Sequence, residues 1–257
     1  MIIIKSPREI AIMKEAGRLV AKVFEMVGPM IKPGVSTYEI NEAAEKIIYD
    51  AGGSCPCKGY YGYPAGTCVS VNDTLIHGIP SKKIIVQEGD IVSLDVVACL
   101  KGYCADATRT FLVGAGKENV KRLMEVCRQA FFAGIKQAKP GQRVGDISAA
   151  IQQHVESAGY QVARNFAGHG IGKNMHEEPS VPNYGTPGTG PLLQVGMALA
   201  VEPMILEGQA QTRVLEDGWT VKSKDGKLTC HYENTIIIAE GGCEIITLTE
   251  GEKKING

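Results

Sequence analysis

The chain repeats a set of short motifs with a constant offset of 107 residues, from position 32 to position 139 and onward. The recurring pairs are Lys32-Pro33-Gly34 with Lys139-Pro140-Gly141, Ile40 with Ile147, Ala51-Gly52 with Ala158-Gly159, and Gln87-x-Gly89 with Gln194-x-Gly196. Self-similarity at a fixed offset indicates repeated structural units. We therefore expect a single domain over residues 1–257, made of two pseudo-symmetric halves at about 1–115 and 116–257.

Each half begins with helices that carry their own start and stop signals. Ser6 and Glu9 form a capping box with Pro7 at the first helical position, and Ser36 and Glu39 form a second capping box. Glycines follow the apolar periodicity of both segments and end the helices. Two further helices are predicted over residues 117–138 and about 144–158.

Residues Ile91 to Ala98 and Tyr103 to Val113 are predicted to pair as a β-hairpin, because two apolar runs flank a Lys101-Gly102 turn. A two-residue turn at this place sets Val97 opposite Asp106. The sheet regions follow the helices in each half, so the pattern indicates an α+β fold with an antiparallel sheet.

Asp95 and Asp106 lie on one face of this hairpin, because side chains alternate with a period of two. Val92, Leu94 and Val96 occupy the other face and are expected in the core. Two carboxylates on one face repel each other unless a cation or a proton neutralises them. The hairpin therefore already indicates a cation or proton site.

The duplication adds two more acids. The offset carries Asp95 onto Glu202, and Asp106-Ala107-Thr108 matches Glu233-Asn234-Thr235 by local pattern. Strands over 197–206 and 228–239 would bring all four carboxylates together, with His169 near the rim. This donor set suits hard cations, and a charge of about −4 calls for two divalent ions. The alternative is four exposed acids with separate counterions.

The stretch from Gly168 to Pro179, GHGIGKNMHEEP, holds His169 and His176 in a glycine-rich frame. Glycine permits close backbone approach and positive φ, which suits a ligand or proton-transfer site. Pro179 excludes the helical H-E-x-x-H zinc motif. The alternative is a glycine-rich surface loop that happens to contain two histidines.

A second irregular loop runs from Cys55 to Pro64, CPCKGYYGYP. Its tyrosines, Tyr60, Tyr61 and Tyr63, alternate with glycines and offer aromatic walls for an apolar ligand. The alternative is a tyrosine-rich turn that packs on its own sheet.

Composition excludes several classes of function. The net charge is −1 without basic blocks, so nucleic-acid binding through phosphate neutralisation is disfavoured. The apolar run before Lys5 is too short for a signal peptide, and the other apolar runs are too short to span a bilayer. The eight cysteines form no C-x-x-C pair, and we expect reduced thiols in a cytoplasmic protein.

These motifs together resemble the type I methionine aminopeptidases of the bacterial type, which have the pita-bread (creatinase/aminopeptidase) fold. The segments that carry the resemblance are 59–64, 72–80 (NDTLIHGIP), 93–110, 168–179, 201–204 (VEPM) and 232–235. The resemblance implies one catalytic domain that removes the N-terminal methionine from newly made polypeptides and prefers a small second residue.

The resemblance also implies roles for individual residues. Its five metal ligands fall on Asp95, Asp106, His169, Glu202 and Glu233. Asp106 and Glu233 would bridge two divalent ions, which are iron(II), manganese, cobalt or zinc. His77 and His176 would be the catalytic histidines beside the metals, and Glu202 would also move a proton.

An apolar, sulfur-tolerant pocket is expected to hold the methionine side chain. Its candidate walls are Cys57, Tyr60, Tyr63, Cys68, Met175 and Trp219. The expected partner is the N-terminus of a nascent chain near the ribosome, met by a monomer, with no nucleic-acid or membrane role.

Three positions depart from the family pattern. Family members often have His where Tyr61 stands, an aromatic residue where Met175 stands, and an amide where His231 stands. His231 shares a face with Glu233, so it either touches the metal site, donates a hydrogen bond to a ligand or simply packs. Two other functions stay open: an Xaa-Pro aminopeptidase or prolidase-like enzyme, and a non-catalytic binding protein on the same fold.

Overall fold

The four predicted helices are present, and a fifth α-helix that was not predicted follows near the C-terminus. The computed structural model describes the backbone of residues 1–256 and the side chains of residues 1–254. Its helices are α1 (Pro7–Val27), α2 (Thr37–Asp50), α3 (Glu118–Ile135), α4 (Val144–Ser157) and α5 (Glu250–Asn256). Both capping boxes are present, with Ser6 accepting from Glu9 N and Ser36 accepting from Glu39 N. Within residues 1–256 no helix combines the length and the hydropathy needed to cross a bilayer.

The strands of residues 1–256 form four antiparallel sheets. The first has the order β1-β3-β4, from β1 (Cys68–Val71), β3 (Ile91–Leu100) and β4 (Tyr103–Leu112). The second has the order β10-β11-β2, from β2 (Thr74–Ile76), β10 (Thr212–Val214) and β11 (Val221–Ser223). The third has the order β12-β9-β5, from β5 (Gln161–Val162), β9 (Met204–Leu206) and β12 (Thr229–His231). The fourth has the order β14-β13-β8-β6-β7, from β6 (Ala167–Gly170), β7 (Glu177–Pro182), β8 (Ala198–Val201), β13 (Asn234–Ala239) and β14 (Gly242–Ile245).

The β3–β4 hairpin has the predicted register. Val97 pairs with Asp106, and Asp95 pairs with Thr108. The turn residues Lys101 and Gly102 have φ values of 51° and 80°, as a two-residue type I′ turn requires. The turn therefore determines which side chains share a face with Asp95.

The helices cover the apolar faces of the sheets. Val92, Leu94 and Val96 are fully buried in one core cluster with residues of α1 and α2. α3 and α4 pack on each other, and a second cluster joins them to β8 and β13. Because helices occupy this side, the opposite face of β3 and β4 is left for the acids.

The duplicated motifs take the same conformations in both halves. α2 and α4 begin and end at equivalent positions of the repeat. Gly34 and Gly141 end the two Lys-Pro-Gly turns with φ of 93° and 88°, and Gly89 and Gly196 have φ of 87° and 89°. Such left-handed positions favour glycine. The limits of the two halves, and the single domain, stay predictions.

Two predicted strands are interrupted at their acids. The strand expected over 197–206 breaks at Glu202-Pro203, and the strand expected over 228–239 breaks at Tyr232-Glu233. Pro203 has no N–H for a ladder, and the Glu233 N–H donates instead to Thr108 O at 3.1 Å. At the second break, the segment around Glu233 leaves the strand ladder and bonds to β4.

The expectation of eight reduced thiols is wrong for one pair. Cys99 and Cys104 form a disulfide, because they are directly paired across β3 and β4 with Cα atoms 3.9 Å apart. The other six cysteines are free.

Candidate metal centre

The four predicted carboxylates and His169 converge on one pocket of about 500 Å³. Asp95 and Asp106 come from β3 and β4, and His169 comes from β6. Glu202 and Glu233 come from the two strand breaks. The alternative of four separately exposed acids is wrong, because every one of these side chains is mostly buried.

A hydrogen-bonded seam holds the acids in place. The Asp106 N–H donates to Thr235 Oγ1 at 2.9 Å, and the Thr235 hydroxyl donates to Asp106 O at 2.8 Å. The Thr108 hydroxyl donates to Glu233 Oε2 at 2.9 Å. β4 and the start of β13 are therefore joined through side chains where the four acids meet.

Buried polar atoms of the cluster lack partners within the described part of the chain. They are Asp95 Oδ1, Asp106 Oδ1, Glu233 Oε1 and His231 Nε2. A buried polar group without a hydrogen bond is costly and calls for an explanation such as a bound ion. Carboxylates and imidazole are a donor set that divalent cations use, so these residues fit a metal centre.

Burial and mutual repulsion raise the pKa values of the acids. The pKa of Asp106 lies well above its usual value because of burial and then the charges of Glu233, Asp95 and Glu202. Burial also lowers the pKa of His169 to about 3. The imidazole is therefore neutral at pH 7, which is the form that binds a metal.

The glycine frame around His169 is explained by close packing. A Cβ on Gly168 would collide with the Ala200 carbonyl, and one on Gly170 would collide with the Glu178 carbonyl. Neither glycine has a positive φ, so that part of the expectation is wrong. The segment after His176 forms β7 and lines the pocket, so it is not an unattached surface loop.

His77 and His176 lie at the pocket beside the acid cluster. The His176 ring is centred 4.3 Å from the His169 ring, and its Nδ1 is 3.2 Å from the Tyr60 hydroxyl. His77 has φ of 56° and packs edge-on to Phe166 and Trp219. Burial lowers the pKa of His77 to about 4. Among the residues that the structure describes, neither histidine belongs to a group that could hold a metal ion.

All six predicted wall residues line this pocket: Cys57, Tyr60, Tyr63, Cys68, Met175 and Trp219. Cys57 Sγ and Met175 Sδ are 3.6 Å apart, and the Tyr63 and Trp219 rings meet edge to face at 5.1 Å. The tyrosine loop is thus a pocket wall.

Tyr61 of the same loop also lines the pocket, whereas further lining residues, among them Ile76, Val97 and Phe166, were not anticipated from the sequence. The sequence contained an indication for Val97, because the predicted hairpin register sets this residue opposite Asp106. Phe166 had none, since only the packing against His77 brings it to the site.

The fold and the buried cluster of acids with an imidazole are those of a metal-dependent hydrolase. The model of metallopeptidase family M24 matches residues 11–240, and the chain belongs to this family.

Methionine aminopeptidases are similar to this chain over nearly their whole length. A methionine aminopeptidase of Clostridium acetobutylicum is 48% identical over 97% of this chain and 100% of the relative. The crystal structure of a methionine aminopeptidase from Thermotoga maritima superposes with a TM-score of 0.95 at 46% identity, covering 96% of this chain and 100% of that chain. A prolidase from Pyrococcus furiosus gives a TM-score of 0.79 at 25% identity, covering 96% of this chain and 66% of that chain. These matches confirm the α+β pita-bread fold and the resemblance to methionine aminopeptidases.

Proposed function

We infer that this chain is a metal-dependent aminopeptidase that removes the N-terminal methionine from polypeptides, with a small second residue preferred. The observation that carries this inference is an apolar, sulfur-lined pocket that opens directly on the buried acid cluster. A thioether side chain fits such walls, because aromatic rings and sulfur attract it by about 0.3–1.5 kcal/mol per contact. The peptide bond after that side chain then lies against the acids.

The two alternative functions are not favoured. A prolidase shares the fold, but its match is at lower identity than the methionine aminopeptidases and covers two-thirds of its chain. A non-catalytic relative would have no need to keep four acids and an imidazole buried together.

The proposed ligands of two divalent cations are Asp95, Asp106, His169, Glu202 and Glu233, with Asp106 and Glu233 shared. Two groups of potential donor atoms contain four of these five residues, Asp106–His169–Glu233 and Glu202–His231–Glu233, each with its atoms within 4.8 Å of one another. Iron(II), manganese, cobalt and zinc are all compatible with carboxylate-rich ligation. Such cations supply Lewis acidity to a carbonyl and make water a nucleophile at neutral pH.

Glu202 is the proposed proton carrier. Its carboxylate lines the pocket at a strand break, and burial raises its pKa well above the usual value. A carboxyl with a raised pKa can accept a proton from water and return it to the leaving amine.

His176 is the proposed donor to the carbonyl oxygen as negative charge develops there. When the Tyr60 hydroxyl donates to Nδ1, the proton of the neutral ring stays on Nε2 and is free for the substrate. His77 is proposed to contact the substrate backbone, and its low pKa keeps it neutral.

The proposed setting is the cytoplasm, with a monomer that acts on nascent chains near the ribosome. A net charge of −1 supports a role without direct nucleic-acid binding.

Peptide cleavage tests the proposed function. Release of the first residue is measured from Met-Ala-Ser and from Ala-Pro peptides, with chelator and after each added metal. We expect methionine release that chelator stops and metal restores. Failure to cleave the methionyl peptide under every metal would refute the assignment, and preferential cleavage of Ala-Pro would favour the prolidase alternative.

A further inference from the structure

His231 occupies a buried position that the five proposed ligands leave unexplained. It ends β12 with 2% of its surface exposed, and its Nε2 is buried without a hydrogen-bond partner within residues 1–256. Its backbone is held firmly, because His231 O accepts from Thr110 Oγ1 at 2.7 Å. The His231 ring is therefore held in the protein interior, and its Nε2 has no hydrogen-bond partner within residues 1–256.

That nitrogen faces two carboxylates. His231 Nε2 is 3.5 Å from Glu202 Oε2 and 3.9 Å from Glu233 Oε2. These separations are too long for charge-assisted hydrogen bonds, which measure about 2.7–2.9 Å. Donors that share one cation at about 2.0–2.2 Å stand roughly 3.0–3.6 Å apart, so the observed spacing matches shared coordination within a few tenths of an ångström.

His169 has the same relation to the other side of the cluster. Its Nε2 is 3.6 Å from Glu202 Oε1 and 3.7 Å from Asp106 Oδ2. Glu202 therefore has one imidazole nitrogen near each of its two oxygens. The two groups of potential donors each contain one histidine and share Glu233.

We propose that His231 Nε2 is a ligand of the cation beside Glu202 and Glu233, while His169 is a ligand of the cation beside Asp106 and Glu233. Each cation then has one imidazole ligand. The inference rests on the two-cation centre proposed above. A nitrogen ligand at both positions favours cobalt, iron or zinc over manganese, because imidazole suits the former metals and oxygen donors suit the latter.

X-ray absorption of the dicobalt protein measures the number of imidazoles per cobalt. We expect one imidazole per cobalt in the unaltered protein and about half that number in His231→Gln. His154→Gln is the matched control, because His154 also has an unpartnered buried Nε2 but does not line the pocket. The number of imidazoles per cobalt in His154→Gln should equal that in the unaltered protein.

Calorimetric titration of the apo-protein with cobalt gives a second readout. His231→Gln should keep one tight site and weaken the other by more than the roughly 10–100-fold that follows loss of a residue that only hydrogen-bonds to a ligand. Manganese binding should weaken less than cobalt binding in the same variant. Melting of the apo-proteins checks that each variant is folded.

The two proposals fail separately. Two bound cobalt ions with half an imidazole each in the unaltered protein overturn the role of His231 and leave the two-cation centre standing. Binding of no cobalt, or of one, overturns both. The number of imidazoles per cobalt in the unaltered protein tests the role of His231 even if His231→Gln does not fold.

Discussion

Replacing Asp106 by asparagine should stabilise the metal-free protein while destroying its function. The carboxylates of Asp106 and Glu233 offer atoms within 4.8 Å of one another in a buried cluster. At an effective dielectric constant of about 20, two unit charges at that distance repel by about 3.5 kcal/mol. Because burial and the neighbouring charges raise the pKa values of both acids, protonation of either one would relieve part of this repulsion.

The net gain for the metal-free Asp106→Asn variant is therefore about 1–3 kcal/mol in the free energy of unfolding. For a chain of this size that corresponds to a rise in Tm of roughly 2–12 °C. The asparagine amide can also donate toward Glu233, which keeps the site folded. Removal of a proposed bridging ligand should at the same time abolish cation binding and turnover.

Thermal unfolding in chelator, calorimetric cation titration and release of methionine from Met-Ala-Ser measure the three effects. Asp50→Asn is the control, because Asp50 is an exposed partner of Lys46 and its loss should change stability by less than about 0.5 kcal/mol. Cation addition should raise the Tm of the unaltered protein and of the control, but not that of Asp106→Asn. Full activity of Asp106→Asn, or a lower Tm in chelator, would refute the reasoning.

Three further changes test the pocket. Tyr60→Phe should lower kcat about tenfold and leave KM within about twofold, because His176 loses the partner that sets its tautomer. An unchanged kcat in steady-state kinetics would contradict this prediction. Met175→Ala should lower kcat/KM for Met-Ala-Ser by about tenfold or more, since the methionine side chain loses a sulfur wall; equal values in both proteins would exclude Met175 from the pocket. Burial depresses the pKa of His77 to about 4 in the folded state, against 6.5 unfolded, so its contribution to the free energy of unfolding is fully present above pH 6.5. In the metal-free protein this contribution should fall by up to about 3 kcal/mol between pH 6.5 and pH 4. Urea unfolding at the two pH values should therefore show a smaller loss of stability in His77→Gln than in the unaltered protein.

Local signals were enough to predict the helices and the hairpin. Ser6 and Ser36 cap their helices, and Lys101-Gly102 determines the pairing of Val97 with Asp106. These features depend on residues a few positions apart, so propensity and period-two alternation specify them. The duplication then extended the hairpin acids to Glu202 and Glu233.

Long-range packing decided the features that the sequence did not show. The break at Glu202-Pro203 lies opposite the break at Tyr232-Glu233, because β8 and β9 continue the pairing on either side with β13 and β12. The Cys99–Cys104 disulfide does not depend on long-range packing, because the predicted hairpin register already sets the two cysteines opposite each other.

By itself, the sequence determined the α+β class, the duplicated helices, the hairpin register and the acids of the proposed metal centre. Only the tertiary structure decided that the His231 nitrogen faces Glu202, and that the Tyr60 hydroxyl reaches His176. The physical reason is distance along the chain. Periodicity and capping act over a few residues, whereas these side chains meet across 29 and 116 positions only after the sheets have packed.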